Sequence, residues 1–204
     1  KSRQYRLGIV YYQFLHILQK TYPVTQAARQ FMEALMIRTQ ETVHLNIIEG
    51  AARVCVDTVE SPQELKVSMP IGSRSPLYAG ASSRCLLAFS PGEFIEDYLK
   101  HATMDQLTDK TITDVAKLRE ELAAIRRQGY AVSLGERNQG LGSISAPILN
   151  HRSALLATIS LAVPEIRFRE ESHREFCLRE TLQTARDLSR IMGFQHPHAP
   201  SASE

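Results

Sequence analysis

Two helices are predicted at the start of the chain, because apolar residues recur there at intervals of three and four positions. The first covers residues 8–22 and ends at Pro23, which cannot continue a helix. Thr25 is a suitable N-cap for the second helix. The apolar stripes consist of Val10, Phe14, Ile17 and Leu18 in the first helix and of Ala28, Phe31, Met32 and Leu35 in the second.

The pattern then changes to a period of two, which is typical of strands. Residues 42–50 read TVHLNIIEG, and residues 53–60 read RVCVDTVE. A third predicted strand, residues 65–71, reads LKVSMPI and has an apolar residue at every second position. Short turns between these segments favour antiparallel pairing.

Helices and strands then return once more. Three helices are predicted here. The first covers residues 79–89, and the second has Ser90 as N-cap and Pro91 as its first helical residue. The third has Thr113 as its N-cap and ends at Gly129. Strands follow at residues 130–133, 143–149 and 154–163, with a hairpin loop at residues 150–153 and a last helix at residues 174–192. Strand blocks that are separated by helices predict an α+β domain on one antiparallel sheet.

The composition limits the class of protein. The chain has 204 residues, of which 43% are hydrophobic, and this is enough for a sizeable core. The formal net charge of +2 is close to balance, so the chain as a whole is not a strong binder of polyanions. No apolar run reaches the length of a membrane span or of a signal peptide. We therefore expect a cytoplasmic protein without membrane contact.

Catalytic and metal-binding patterns are missing from the sequence. The odd number and wide spacing of Cys55, Cys85 and Cys177 argue against a disulfide framework or a zinc site. No histidine lies close in sequence to Cys55 or Cys85, so we interpret both as buried structural residues. There is no phosphate-binding loop and no nucleophile elbow. The sequence therefore predicts no catalytic residue, no metal site and no cofactor.

The stretch GSRSPLYAGASSRCLLAF, residues 72–89, places a run of small residues where a helix is predicted to begin. Free amides at a helix N-terminus attract anions, and small residues let a ligand approach them closely. Residues 79–83, AGASS, would then form the floor of a carboxylate site, with hydroxyl donors from Ser82 and Ser83. Small residues equally permit tight packing of a helix on a sheet, and the sequence leaves both interpretations open.

Four motifs follow one another in a fixed order. They are YRLG (residues 5–8), the 72–89 stretch, IRRQGYAV with GERNQGLGSISAPILN (residues 125–132 and 135–150), and ALLATISLAVPEIRF (residues 154–168). YRLG resembles the end of the wing in the winged helix-turn-helix domain of the isocitrate-lyase-regulator (IclR) family of transcription regulators. The other three resemble segments of that family's effector-binding domain, which makes the ordered set a specific signal.

The resemblance implies a GAF-like, profilin-like fold: a six-stranded antiparallel sheet flanked by helices and preceded by a linker helix. It implies a homodimer or homotetramer, and contact with operator DNA only through an N-terminal domain that is missing here, so no DNA-binding residue is expected in this chain. The expected divisions are a winged-helix remnant at residues 1–8, the linker helix at residues 9–24, the effector-binding domain at residues 25–193 and a disordered tail at residues 194–204. His196 and His198 are interpreted as part of that loose tail rather than as metal ligands.

The resemblance also places an effector pocket over the sheet. Carried onto this chain, its residues are Val67, Gly80, Ala81, Ser82, Ser133, Leu141, Ser143, Ser160 and Ala162. Family members often have Asp, Cys and Ser where this chain has Ser133, Ser143 and Ala162. More serines and no obvious pocket cation favour a small organic acid or similar polar metabolite, held by amides and hydroxyls.

Two other functions stay open at this point. A cysteine-dependent enzyme on a GAF-like fold would need two cysteines whose Cα atoms approach within about 7 Å. A ligand-free dimerisation domain would be favoured by an occluded pocket above the helix start at residues 79–83.

Overall fold

The computed structural model describes residues 8–195, without the side chains of residues 15 and 18–20. The described part begins with two consecutive helices, α1 (Val10–Thr21) and α2 (Pro23–Thr39). Thr25 is not the N-cap of α2. The helix begins two residues earlier, with Tyr22 as N-cap and Pro23 as its first residue. Proline suits that position because it has no amide hydrogen in need of a partner and its φ angle is already helical.

Three strands follow, at Thr42–Glu49 (β1), Ala52–Val59 (β2) and Arg74–Pro76 (β3). The prediction of a strand over residues 65–71 is wrong, because residues 66–70 have no regular secondary structure. Val67 therefore lies in a loop, and Leu65 and Ile71 are exposed. Pro70 cannot donate to a strand ladder, so the alternation of apolar residues here does not produce a strand.

Helices α3 (Ala81–Ala88), α4 (Gly92–His101) and α5 (Val115–Gln128) come next. Two predicted caps are wrong by one residue. The N-cap of α4 is Pro91, and the hydroxyl of Ser90 donates instead to the carbonyl of Leu86. The N-cap of α5 is Asp114 rather than Thr113, because its carboxylate can accept from the free amide of Lys117 at 2.8 Å.

The second block of strands consists of β4 (Ala131–Leu134), β5 (Leu141–Leu149) and β6 (Leu155–Pro164). A short helix that the sequence did not predict, α6 (Glu165–Phe168), leads into the long α7 (Glu171–Ile191). The six strands form one antiparallel sheet in the order β3-β2-β1-β6-β5-β4. The predicted α+β class with a six-stranded antiparallel sheet and flanking helices is confirmed.

The two faces of the sheet have different neighbours. Helices α2 and α7 pack on one face, where alternate strand residues form the main core. Its strand members are Val43, Leu45, Ile47, Ile144, Ala146, Ile148, Ala157, Ile159, Leu161 and Val163. Helix α3 packs on the opposite face, where the central strands carry polar side chains that are also buried.

Some expectations fall on parts of the chain without a description. Residues 1–7 of the expected winged-helix remnant and residues 196–204 of the expected tail, with His196 and His198, lie outside the described residues. Helix α1 occupies the position expected for the linker helix, and its role as a linker stays a prediction. Within residues 8–195, no helix is long and apolar enough to cross a membrane.

Candidate functional site

A cavity lies between the start of α3, the polar sheet face and two loops, residues 66–70 and residues 135–140. All nine residues expected for the effector pocket line it: Val67, Gly80, Ala81, Ser82, Ser133, Leu141, Ser143, Ser160 and Ala162. That they contact an effector stays a prediction. The other lining residues are His44, Met69, Ala79, Glu136, Arg137 and Asn138.

Strand register explains why residues far apart in sequence meet here. Ser133 of β4 pairs with Ser143 of β5, which in turn pairs with Ala162 of β6. In the neighbouring row, Ser160 of β6 lies between Ser145 and His44. Because residues two apart on a strand face the same side, the two rows form one continuous polar floor.

Two amides at the start of α3, those of Gly80 and Ala81, are not free, which counts against the anion-site interpretation that the sequence left open. The Gly80 amide donates to Glu136 Oε2 at 3.1 Å, and the Ala81 amide donates to Ser133 Oγ at 3.0 Å. Gly80 has φ +88°, a left-handed conformation that favours glycine and turns these amides toward the cavity wall. The protein's own side chains therefore occupy the positions that we expected a ligand to take.

Glu136 also forms an ion pair with the guanidinium of Arg84, which is only 2% exposed. Arg84 donates in addition to Glu121 at 2.8 Å and to the carbonyl of Val132 at 2.9 Å. Burial raises the pKa of Glu136, an effect that Arg84 and the Gly80 amide partly oppose. Its carboxylate is consequently held at some cost in solvation.

The volume of the cavity is about 30 Å³. One molecule of liquid water takes up about 30 Å³, so the cavity has about the volume of one water. An organic ligand therefore fits only if a wall moves, and Glu136 on the 135–140 loop is the side chain that stands over the start of α3.

His44 is a fully buried neutral base on the cavity wall. Its Nε2 accepts from the amide of Met69 at 3.2 Å, so the ring hydrogen must reside on Nδ1. That Nδ1 has no hydrogen-bond partner among the described residues. Burial first, and then the charges of Arg53 and Arg137, lower the pKa of His44 to about 3. The imidazole is therefore uncharged at neutral pH and leaves one donor unused.

A chain of polar contacts crosses four strands beside the cavity. Arg53 donates to Asn46 Oδ1 at 2.7 Å, and Asn46 Nδ2 donates to Ser160 Oγ at 3.3 Å. Ser160 and Ser145 share a hydrogen bond of 2.8 Å between their hydroxyls. All four side chains are buried, so this network fixes the positions of the polar groups that face the cavity.

No cysteine offers a nucleophile. Cys55, Cys85 and Cys177 are free and buried, and burial raises the pKa of all three thiols, to about 12 for Cys85 and Cys177. Cys177 lies 3.5 Å from His173 Nε2, but that nitrogen is also 2.9 Å from the buried carboxylate of Glu41. A histidine nitrogen that donates to a carboxylate cannot accept the thiol proton, so this cluster is structural.

Residues 16–190 match the family model described as bacterial transcriptional regulator IclR C-terminal. The HTH-type transcriptional regulator KipR of Bacillus subtilis is 35% identical over 193 residues, which cover 95% of this chain and 77% of that protein. The crystal structure of the Thermotoga maritima IclR has a TM-score of 0.83 at 29% identity, over 92% of this chain and 75% of that one. The C-terminal domain of the Escherichia coli regulator KdgR has a TM-score of 0.74 at 29% identity, over 84% of this chain and 99% of that one.

The chain belongs to the IclR family. Its relatives are named transcriptional regulators, which implies a regulator rather than an enzyme. Regulators of this family bind small-molecule effectors and DNA, and the matched region is the C-terminal, regulatory part of such a protein.

The charged half of the site in this IclR domain was not predicted from the sequence. Arg137 lines the cavity, and Arg53 contacts the lining residue Met69, whereas the sequence suggested that the pocket lacks a cation. One signal for Arg53 was available. It alternates with Val54 in a predicted strand whose valines belong to the apolar face, so it had to point to the same side as the pocket.

Proposed function

We propose that this IclR domain is a cytoplasmic sensor that binds a small organic acid or similar polar metabolite in the cavity beside α3. Binding would change the DNA affinity of a winged-helix domain through contacts between subunits. The observation that carries the proposal is the polar floor described above, where serines of β4, β5 and β6 and the neutral His44 meet under one helix start. Buried polar groups cost solvation free energy, which a bound polar ligand would offset.

The small cavity supports a switching mechanism. An organic ligand needs more room than the cavity offers, so the 135–140 loop, whose Glu136 accepts from the Gly80 amide, must move. The domain would then exist in a closed arrangement and in an open one that alone accepts the ligand. Since a ligand that binds one arrangement better shifts the population toward it, binding at this cavity can be transmitted to other parts of the molecule.

Helix α1 supports the oligomeric part of the proposal. It carries several exposed apolar side chains: Val10, Tyr11, Tyr12, Phe14 and Ile17. A helix with so much exposed apolar surface gains stability when it packs against another subunit or domain. We propose that α1 links the domain to its DNA-binding partner and joins two subunits, as dimer or tetramer.

The test is ligand binding by the purified chain. Thermal shift with organic acids of two to six carbons, together with native mass spectrometry of retained ligands, should identify at least one acid that stabilises the fold. Ser143→Leu fills the cavity and should abolish this stabilisation. Ser172→Leu, on the exposed side of α7, is the matched control and should retain it.

A second function is favoured by one observation. Capped amides and a cavity of about 30 Å³ are what a ligand-free dimerisation domain would have. In that case no acid would raise the melting temperature, no ligand would be retained, and Ser143→Leu would leave dimer formation unchanged. The same measurements therefore distinguish the two functions.

A further inference from the structure

Two arginines beside the cavity have no carboxylate partner among residues 8–195. Arg53 is fully buried on β2, and Arg137 is partly buried on the 135–140 loop. Neither forms an ion pair with any described acidic residue. The buried guanidinium of Arg84, in contrast, is paired with both Glu121 and Glu136.

The two guanidinium groups lie side by side, because they share the same acceptors. Arg53 donates to Ser75 Oγ at 2.5 Å, and Arg137 donates to the same oxygen. Both also contact the sulfur of Met69, at 3.5 Å from Arg53 and 2.9 Å from Arg137. Arg53 also donates to Asn46 Oδ1, but the acceptors that the two cations share are a hydroxyl and a thioether, which are weak. Arg53 Nε is buried without a partner among the described residues.

This arrangement is unfavourable in the absence of a counter-charge. Burial, and then the neighbouring Arg137, lower the pKa of Arg53 to about 10, so Arg53 is still charged at neutral pH. Burial also lowers the pKa of Arg137. Burial of a charge costs solvation free energy, and a partner of opposite sign can compensate this cost. An anion within reach of both guanidinium groups would compensate both charges at once.

We propose that the carboxylate of a small organic acid binds between Arg53 and Arg137, beside Ser75. The inference rests on the proposed sensor function and deepens it, because it assigns the anionic end of the ligand to a position. It also moves that end away from the amides of Gly80 and Ala81, where Glu136 and Ser133 already accept.

The rest of the cavity indicates the class of acid. Of the two arginines, Arg137 lines the cavity, and Arg53 contacts the lining residue Met69. The lining also includes His44, which has an unused Nδ1 donor, and the serines Ser143 and Ser160. A hydroxyl or carbonyl oxygen near the carboxylate would meet these groups, whereas an alkyl chain would leave them without a partner. Small hydroxy and oxo acids therefore fit the site better than fatty acids.

The experiment follows the arginine side-chain N–H signals by NMR while the chain is titrated with acetate, glycolate and pyruvate at constant ionic strength. Acetamide and glycolamide are neutral controls of matched shape. We expect the Arg53 and Arg137 signals to move with the acids and not with the amides, and glycolate or pyruvate to bind more tightly than acetate.

Three variants complete the experiment. Arg137→Met, at a partly exposed position that the fold should tolerate, should weaken acid binding at least tenfold. Arg137→Lys retains the charge without the two-pronged geometry and should show an intermediate loss. Arg127→Met removes an exposed arginine of α5 and should leave binding unchanged.

The contrary outcomes separate the two proposals. If acids move the amide signals of Gly80 and Ala81 but not the arginine signals, and Arg137→Met binds normally, the sensor stands and the arginine site is overturned. If inorganic phosphate binds the pair more tightly than every carboxylate, the ligand class is overturned. If no acid changes any signal at concentrations up to about 100 mM, about a hundred times the Kd of a millimolar binder, both proposals fail.

Discussion

The two faces of the central sheet bury similar numbers of side chains but of opposite character. On β6, Ile159 and Leu161 point into the core under α2 and α7, whereas Thr158 and Ser160, their immediate neighbours, point toward α3. The apolar face gains free energy from burial at about 25 cal/mol per Å². The polar face loses solvation and recovers part of it through hydrogen bonds.

That difference separates the stabilising half of the domain from the half available for recognition. Apolar contacts are non-directional, so the α2–α7 face needs only the right volume and shape. The α3 face contains donors and acceptors in fixed positions, among them His44 Nδ1 and Thr158 Oγ1, which are buried and unpaired among the described residues. Unpaired buried groups are expensive for a fold and useful for binding.

The largest contrast is expected from truncation on the apolar face. Ile159→Ala removes buried methylene groups where Leu45 and Ala146 pack, and should lower the free energy of unfolding by about 2–5 kcal/mol. Urea denaturation with a constant m-value measures this. A loss below about 1 kcal/mol would mean that this face is loosely packed and that the comparison is wrong.

Overfilling the same face should cost somewhat less. A methyl group at Gly142 would overlap with the ring of Phe168, which is 3% exposed in the core. Gly142→Ala should therefore destabilise the domain by about 1–3 kcal/mol in the same urea assay. Gly92→Ala, at the first residue of α4 with open space around it, should be neutral or slightly stabilising.

Alternation in the sequence was sufficient to predict most of the sheet, because strand side chains must alternate between faces. It failed at residues 65–71, where Leu65, Val67, Met69 and Ile71 alternate in the same way. The 66–70 loop is positioned instead by contacts from afar, such as the Met69 amide with His44. Nothing within the segment itself indicates those contacts.

The candidate site shows the same limit: its residues could be predicted from the sequence, but the long-range contacts between them could not. Residues on strands and at the start of α3 came from the motifs and converge on one cavity, whereas the capping of Gly80 by Glu136 joins residues 56 positions apart. A pattern of residue types shows that an amide lies at a helix start but not what accepts from it. The arginine pair was missed for the same reason, since Arg53 and Arg137 meet only after β2 and the 135–140 loop are in place.

Acid should weaken the polar face specifically. The pKa of His44 is lowered to about 3 in the folded protein, against 6.5 when exposed, so between these values the unfolded chain binds a proton that the folded one does not. Stability therefore falls as the pH drops through this window, by at most about 1.4 kcal/mol per pH unit. His44→Gln should reduce the stability difference between pH 7 and pH 5 by about 2 kcal/mol.

Glu136 provides a control of opposite sign. Burial raises its pKa in the folded protein, so the folded form binds a proton more readily and gains stability as the pH falls toward the carboxyl range. Glu136→Gln should therefore make the loss of stability in acid steeper, not shallower. Urea titrations of all three proteins at pH 5, 6 and 7 measure the slopes. Equal slopes for His44→Gln and the native chain would contradict the buried neutral histidine.

The smallest effects should come from two hydroxyls on the same strand and the same face. Thr158 Oγ1 is buried without a partner in the described structure, so Thr158→Val, which conserves the shape, should stabilise the domain by about 1 kcal/mol. Ser160 Oγ shares a hydrogen bond with Ser145 and accepts from Asn46, so Ser160→Ala should destabilise it by about 1 kcal/mol. If both variants changed the unfolding free energy in the same direction, hydrogen bonding would not decide the energetics of this face.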